Sequence, residues 1–501
     1  MDRYTIACQK AIDEPESFWS EAAQDIYWFK KWDSVLANGN PFFYRWFAGG
    51  MVNTCYNALD LHIDRGRSRK VALIYDSPDT GKVIKLTYLQ LRDLAARFAG
   101  ALISQGVKKG DRVMIHMPAI PETVVAMMAC ARIGAIHAVV PCGLAAGELA
   151  AFIDNAQPKV IVSASCGIEG KNRIPYKPLL DNAISLAGHK PYRCIIFQRS
   201  QEKAPLSPDR DLDWKTVMQI ADPIGCVPVA ATDPLYILYS SGTDQRPRGV
   251  VRDNGGHMVA LKWSMKAIYE IDQNDVWWAA SEMASVVGHS SMVYGPLLKG
   301  CTTVLYEGIP SGTPDSGVFW RVISDHKVTA MLTSPWSFQT VKRQDPDGKL
   351  VKKYDLSGLR SLFLGGEYND PETIQWCENH LKMPVIHHWW QAEAGGAIAA
   401  NGKSLSPCPV ESGLPVKAVP GWNLHVVGDK GQPVAPGQIG ALVVKLPLPP
   451  GALPTLWQDD NRFVDSYMRE FPGYYKTSQT GFTDDEGHIY FATRGRGNGS
   501  C

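Results

Sequence analysis

The sequence predicts an α/β protein built on parallel sheets, and three features of its 501 residues carry that expectation. From Val71 onward, short apolar runs alternate with segments whose apolar residues recur at helical spacing, the pattern of strand–helix–strand crossovers. A second series of short apolar runs follows residue 270, several ending in polar or glycine-containing turns. From Leu424 the texture changes to short alternating runs, which suit a small β unit.

In chain order, residues 1–65 are rich in aromatics without a clean period, among them Phe18, Trp19, Trp28, Trp32, Trp46 and Phe47. Such a segment is expected to wrap the domain behind it, its rings serving as core. Residues 71–75 and 84–86 read as a hairpin, and Thr87 as the N-cap of a helix that carries Leu91, Leu94, Ala95, Phe98 and Leu102 before Gly106 stops it. Strands at 113–117, 136–140 and 160–162 then alternate with helices at 121–133 and 148–155. Right-handed crossovers follow, with ligands expected outside the carboxyl ends of the strands. Residues 165–230, with prolines at 175, 178, 191, 205, 208, 223 and 228, read as a loop-rich connection between two subdomains. After a strand at 235–239, further strands are expected at 276–280, 302–306, 330–333, 359–364 and 385–388. The expected organisation is a wrapping segment 1–65, a first α/β subdomain 66–230, a second 231–420, a β subdomain 421–494 and a tail 495–501.

Composition narrows the function classes. With 51 basic and 50 acidic residues, the net charge of +1 argues against nucleic-acid and membrane-surface partners. The eleven cysteines are scattered, without a CxxC pair, so a disulfide framework and a zinc site are not expected and a reducing compartment is. No apolar run is long enough to span a membrane, and the acidic N-terminus is unlike a leader peptide, so a cytoplasmic protein is expected.

The stretch YILYSSGTDQRPRGVVR, residues 236–252, carries the clearest chemistry. A strand empties into Ser240, Ser241, Gly242 and Thr243, followed by Arg246, Arg248 and Arg252. Glycine lets backbone N–H groups approach an anion, the hydroxyls add donors and the arginines add charge, although the spacing is not that of a Walker loop. On its own the stretch fits equally a polar turn between strands. Glu367, after Gly366, and Glu393 can hold Mg²⁺ or a ribose, or make surface ion pairs. His289, His387 and His388 invite a base or metal reading, but the two adjacent histidines do not share a face and a third ligand is not apparent. Trp389 and Trp390 fit either core or the wall of a base-stacking pocket.

These features, with the blocks DEPESFW at 13–19, CYNALDLHID at 55–64, ACARIGAIHAVV at 129–140, YGPLLKGCTTVLYEG at 294–308, KLPLPPG at 445–451 and DDEGHIYFATR at 484–494, are similar to the AMP-forming acyl-CoA synthetases. Within that adenylate-forming superfamily the chain resembles the acetyl- and propionyl-CoA synthetase branch. The resemblance implies the large N-terminal domain of such an enzyme: two parallel-sheet α/β subdomains and a small β barrel-like one. It also implies that the mobile C-terminal domain, which carries the adenylation lysine, is not represented after Arg494. The implied chemistry uses ATP, Mg²⁺, CoA and a small carboxylic acid, in a cytoplasmic ligase whose oligomeric state is not legible. Carried over by position, Ser240, Ser241, Gly242 and Thr243 form the phosphate cradle, with Thr243, Arg248 and Glu393 catalytic and Glu393 the metal ligand. Gly366, Glu367, Trp389, Gln391, Gln479 and Arg494 fall at nucleotide-binding positions, and Val286, Val287 and Trp390 at the acyl pocket.

Several positions depart from the family pattern. Asp244 places a carboxylate in the cradle, where each like-charge contact with a phosphate costs about 4 kcal/mol at an effective dielectric near 20. Arg248 replaces a lysine, Ala392 a threonine, Gln479 a ribose-binding aspartate, Ser285 a pocket tryptophan and His387 an aspartate, and Pro141 to Leu144 alter a glycine-rich block. Beside the synthetase reading stand two alternatives: an enzyme of specialised metabolism redirected to another acyl substrate, and a catalytically silent binding homologue.

Overall fold

The computed structural model describes residues 3–37, 39–170, 172–240, 246–309, 312, 315–366, 371–401 and 416–492. Two large sheets and one small one organise them. The first sheet runs, edge to edge, through Asp211–Asp213, Arg193–Phe197, Val160–Ala164, Arg112–His116, Ile136–Val139, Pro234–Ser240 and Arg248–Asp253, parallel throughout except for the last strand, which turns back. The second has nine strands, with Val276–Ala280, Thr302–Tyr306, Ala330–Thr333, Ser361–Gly365 and Val385–Trp390 as its parallel heart. Leu424–Val427, Gly440–Lys445, Tyr474–Thr483 and Ile489–Phe491 form the antiparallel four-stranded sheet of the β unit.

Local chemistry explains the crossover helices. Thr87 caps the helix Tyr88–Ser104, its hydroxyl accepting from Gln90 N at 3.2 Å while Gln90 Oε1 accepts from Thr87 N at 2.9 Å. Pro121 starts the helix Pro121–Ile133, and Gly134, at φ +73°, ends it in the left-handed conformation. Every residue of that helix except Glu122 is buried, which accounts for its apolar character on all faces.

Sheet membership crosses the expected subdomain boundaries. The hairpin Val71–Ser77 and Lys82–Thr87 joins the second sheet, where Val71–Ser77 pairs with Thr302–Tyr306. Pro234–Ser240 and Arg248–Asp253 complete the first. Residues 165–230 are also more than a connection. They hold the hairpin Cys166–Glu169 and Asn172–Pro175, the helices Tyr176–Leu186 and Trp214–Ile220, and two strands of the first sheet. The prolines mislead because Pro175 sits at an N-cap and Pro178 in a first turn, where no helical hydrogen bond is lost. Within this region Lys177, almost fully buried, bridges Asp181 at 2.6 Å and Asp211 at 2.8 Å.

The N-terminal segment wraps the domain. Trp19 packs edge-to-face on Trp46 and Trp263, and Trp46 Nε1 donates to Leu448 O at 3.0 Å. A buried pair joins the two large sheets: Arg199 donates to both oxygens of Glu307, at 2.6 and 2.8 Å, and Tyr75 donates to the same carboxylate.

Candidate active site

The predicted cradle connects the two strands of the hairpin Pro234–Ser240 and Arg248–Asp253, at the end where Ser240 pairs with Arg248. Ser240 Oγ and Arg248 Nε are both buried there and have no partner among the described residues. A hydroxyl and a guanidinium N–H left unsatisfied at one spot favour an incoming anion, since burial without a partner is costly. Ser241, Gly242, Thr243 and Asp244 between them lie outside the described residues, as do Glu367 and Arg494.

Glu393 faces this hairpin. Tyr467 Oη donates to Glu393 Oε1 at 2.6 Å, Arg248 Nη1 donates to Tyr467 Oη at 3.2 Å, and the same nitrogen lies 3.9 Å from Glu393 Oε1. Tyr467 ends the helix Asp460–Tyr467, capped by Asp459, and stacks on Tyr475 with 5.3 Å between ring centroids. Burial first, and then the Glu393 charge, raise the Tyr467 phenol pKa, which keeps it a donor.

Gln391 and Gln479 converge on Thr477. Gln391 Nε2 donates to Thr477 O and its Oε1 accepts from Tyr475 Oη at 3.3 Å, while Gln479 N donates to Thr477 Oγ1 at 3.3 Å. Arg252, expected beside the phosphates, has a different place. It is fully buried and donates to Glu393 O at 2.8 Å and to Ala392 O, so it braces the turn that presents Glu393. Gly395 completes that turn at φ +75°, where a Cβ would fall 2.5 Å from Gly451 O.

The two tryptophans part company. Trp389 is fully buried, edge-to-face on Phe491, and belongs to the core. Trp390 is half-buried and lies over the strand end before Gly366: a Cβ on Gly365 would fall 1.5 Å from Trp390 Cη2. Only glycine at 365 therefore admits the indole. Val286 and Val287 are buried in the core against which Trp390 packs, just before the π-helical turn Gly288–Tyr294. Ser285 shapes that turn, its hydroxyl accepting from Gly288 N at 3.0 Å and donating to Glu282 O at 2.7 Å.

The histidines make no ligand set. Burial lowers the pKa of His289 and His387 to about 4 and of His388 to about 3, so all three are neutral at pH 7. Sequence reasoning missed Tyr467, Tyr475 and Thr477. Tyr467 and Tyr475 fall in the aromatic cluster FVDSYMREFPGYYKT at 463–477, which has no period, and Thr477 stands two residues before Gln479, at the threonine of the family's Thr-x-Asp string.

A family model described as AMP-binding enzyme matches residues 62–449, and one described as acetyl-coenzyme A synthetase N-terminus matches residues 4–58. The chain is 46% identical over 489 residues to a Homo sapiens protein named acyl-CoA synthetase short-chain family member 3, mitochondrial, covering 97% of this chain and 71% of that one. It is 40% identical over 492 residues to a propionate–CoA ligase of Salmonella typhimurium, covering 97% and 77%. A Dictyostelium discoideum protein named acyl-CoA synthetase short-chain family member B, mitochondrial, is 38% identical over 501 residues, covering 98% and 72%. With two family models in register and such relatives along almost its whole length, the chain belongs to the AMP-binding enzyme family, in its short-chain acyl-CoA synthetase branch.

Proposed function

We propose that this protein activates a small carboxylic acid of the acetate and propionate class with ATP and passes the acyl group to coenzyme A. The observation that carries the reading is the constellation at the hairpin's loop end: a buried Ser240 hydroxyl with no partner among the described residues, the Arg248 guanidinium and the Glu393 carboxylate held by Tyr467. In the reaction a substrate carboxylate oxygen bonds to the α-phosphorus of ATP as the bond to pyrophosphate breaks. The CoA sulfur then bonds to the acyl carbon and AMP leaves.

Arg248 and Ser240 meet the negative charge that accumulates on the departing pyrophosphate, the kind of preorganised donors that lower such barriers. Glu393 fits a Mg²⁺ ligand: it is a hard oxygen donor, its described contacts fall on Oε1, and Oε2 carries none among the described residues. A bound Mg²⁺ would offset phosphate charge there. Arg252 and Tyr467 fix the height and direction of that carboxylate. Gln391 and Gln479, on either side of Thr477, suit the ribose side, and Trp390 over Gly365 closes the acyl pocket to long chains. The nine described cysteines are free thiols, which suits a reducing compartment such as the cytoplasm.

The test is carboxylate-dependent pyrophosphate exchange into ATP over acetate, propionate, butyrate and longer acids, with Glu393→Gln as control. Exchange with the short acids, lost in the variant, is expected. No exchange with any acid would overturn the reading.

A further inference from the structure

Cys55 and Cys226 form a cluster that the proposed reaction does not use. Cys55 immediately precedes the π-helical turn Tyr56–Asp60, and Cys226 lies between the helix Trp214–Ile220 and the strand Val229–Ala230. Their two sulfurs and a carboxylate oxygen of Asp60 lie within 4.8 Å of one another. Cys226 Sγ donates to Asp60 Oδ2 at 3.6 Å. On the other side Arg132 Nη1 donates to Cys55 Sγ at 3.5 Å, and the same guanidinium clasps both Asp60 oxygens at 2.7 and 2.9 Å.

The backbones beneath are already fastened together. Val229 pairs with Val52, Asn53 Nδ2 donates to Val227 O at 2.8 Å, and Val227 N donates to Arg132 O at 2.8 Å. The two sulfurs thus start within 4.8 Å of each other on backbones that are tied together on both sides. Cys55 is buried, whereas Cys226 is half-buried and open to a small oxidant. A divalent metal is a poor occupant, because it would have to displace a guanidinium from Asp60 and sit against that fixed positive charge. A disulfide is neutral and leaves the Arg132–Asp60 pair intact.

We propose that Cys55 and Cys226 are a peroxide-oxidisable dithiol that closes to an intrachain disulfide. Hydrogen peroxide is the oxidant. Asp60 takes the Cys226 proton as that sulfur attacks the peroxide O–O bond and passes it to the departing hydroxide as the bond breaks, giving a sulfenic acid and one water. Cys55 sulfur then displaces the sulfenic oxygen while its own thiol proton passes, by way of Asp60, to that oxygen: the S–S bond forms, the S–O bond breaks and a second water leaves. In sum, two thiols and one hydrogen peroxide become one disulfide and two waters. The crosslink ties the segment after Met51–Val52 to the chain that leads into Pro234–Ser240, the strand bearing the cradle.

The experiment treats the native, reduced protein with graded hydrogen peroxide, alkylates it, and maps peptides without reduction. The expected product is a linked pair of peptides containing Cys55 and Cys226, lighter by two hydrogens, in monomeric protein. It is released by dithiothreitol and absent in Cys226→Ser and Cys55→Ser, with the buried Cys377 still reduced. If Cys55→Ser fails to fold, Cys226→Ser, which alters a half-buried loop residue, still decides. Recovery of both thiols fully alkylatable, accumulation of Cys226 sulfinic acid beside free Cys55, or linkage only in urea would each overturn the proposal. So would stoichiometric binding of zinc alone by the reduced protein that Cys226→Ser abolishes.

Discussion

At the scale of single residues, the site depends on how Glu393 is held. Replacing Tyr467 by Phe removes a hydrogen bond to a charged acceptor, worth roughly 1.5–3 kcal/mol, so kcat/KM for ATP should fall by about 10- to 100-fold in the pyrophosphate-exchange assay while the far-ultraviolet spectrum is unchanged. Trp390→Ala should admit longer acids. Since each buried methylene contributes about 0.8 kcal/mol, preference for pentanoate over propionate should rise by roughly tenfold, read as a ratio of kcat/KM values. Glu393 and Ser240 could be named from the sequence because the family's motifs are local strings, and the fold brings Glu393 to face the hairpin that bears Ser240. Tyr467 was not: it meets Glu393 across 74 residues, in a stretch without periodicity. Arg252 was legible as a charge but not in its role, because a basic residue after a phosphate loop reads as an anion contact until its burial against a turn 141 residues away is known.

Among the elements, the helix Gly255–Ala267 carries a buried acid at its start. Asp253 accepts from His257 N at 3.1 Å, yet burial raises its pKa from 3.8 to about 6. The folded state thus prefers the protonated acid. That contribution is complete below about pH 3.8 and is lost as the pH rises through about 6. Asp253→Asn should therefore melt higher than the parent at pH 8, by up to about 3 kcal/mol of stability, and match it near pH 4. The strands Val276–Ala280, Thr302–Tyr306 and Ala330–Thr333 stand where apolar runs between turn residues predict them. Which sheet a strand enters was not legible, since pairing is decided by tertiary contacts that leave no local trace. The hairpin after Val71 and the cradle hairpin each join the sheet formed mainly by the other part of the chain.

For the molecule as a whole, buried histidines should set its acid limit. Burial lowers the pKa of His62 and His388 to about 3 and of His116, His289 and His387 to about 4, with His137 and His257 also well below 6.5. Each is neutral in the folded protein and protonates in the unfolded chain, so the stability they confer is full above about pH 6.5 and is lost as the pH falls. At pH 5 each costs the folded state about 2 kcal/mol, which outweighs the opposite slope of Asp253. Melting temperature should be level above pH 7 and drop steeply between pH 6.5 and 5 in one cooperative transition. A profile level down to pH 4.5 would contradict this. The exchange of hairpins between sheets also has a consequence during synthesis. Val71 finds its neighbour Thr302 only 231 residues later. At ribosomal rates of about 5–20 residues per second, the hairpin waits roughly 10 to 50 seconds with a strand edge open. In that interval a nascent chain is an invitation to chaperones and to its neighbours on the same messenger, so yield on overexpression should depend more on translation speed and chaperone supply than on the stability of the finished fold.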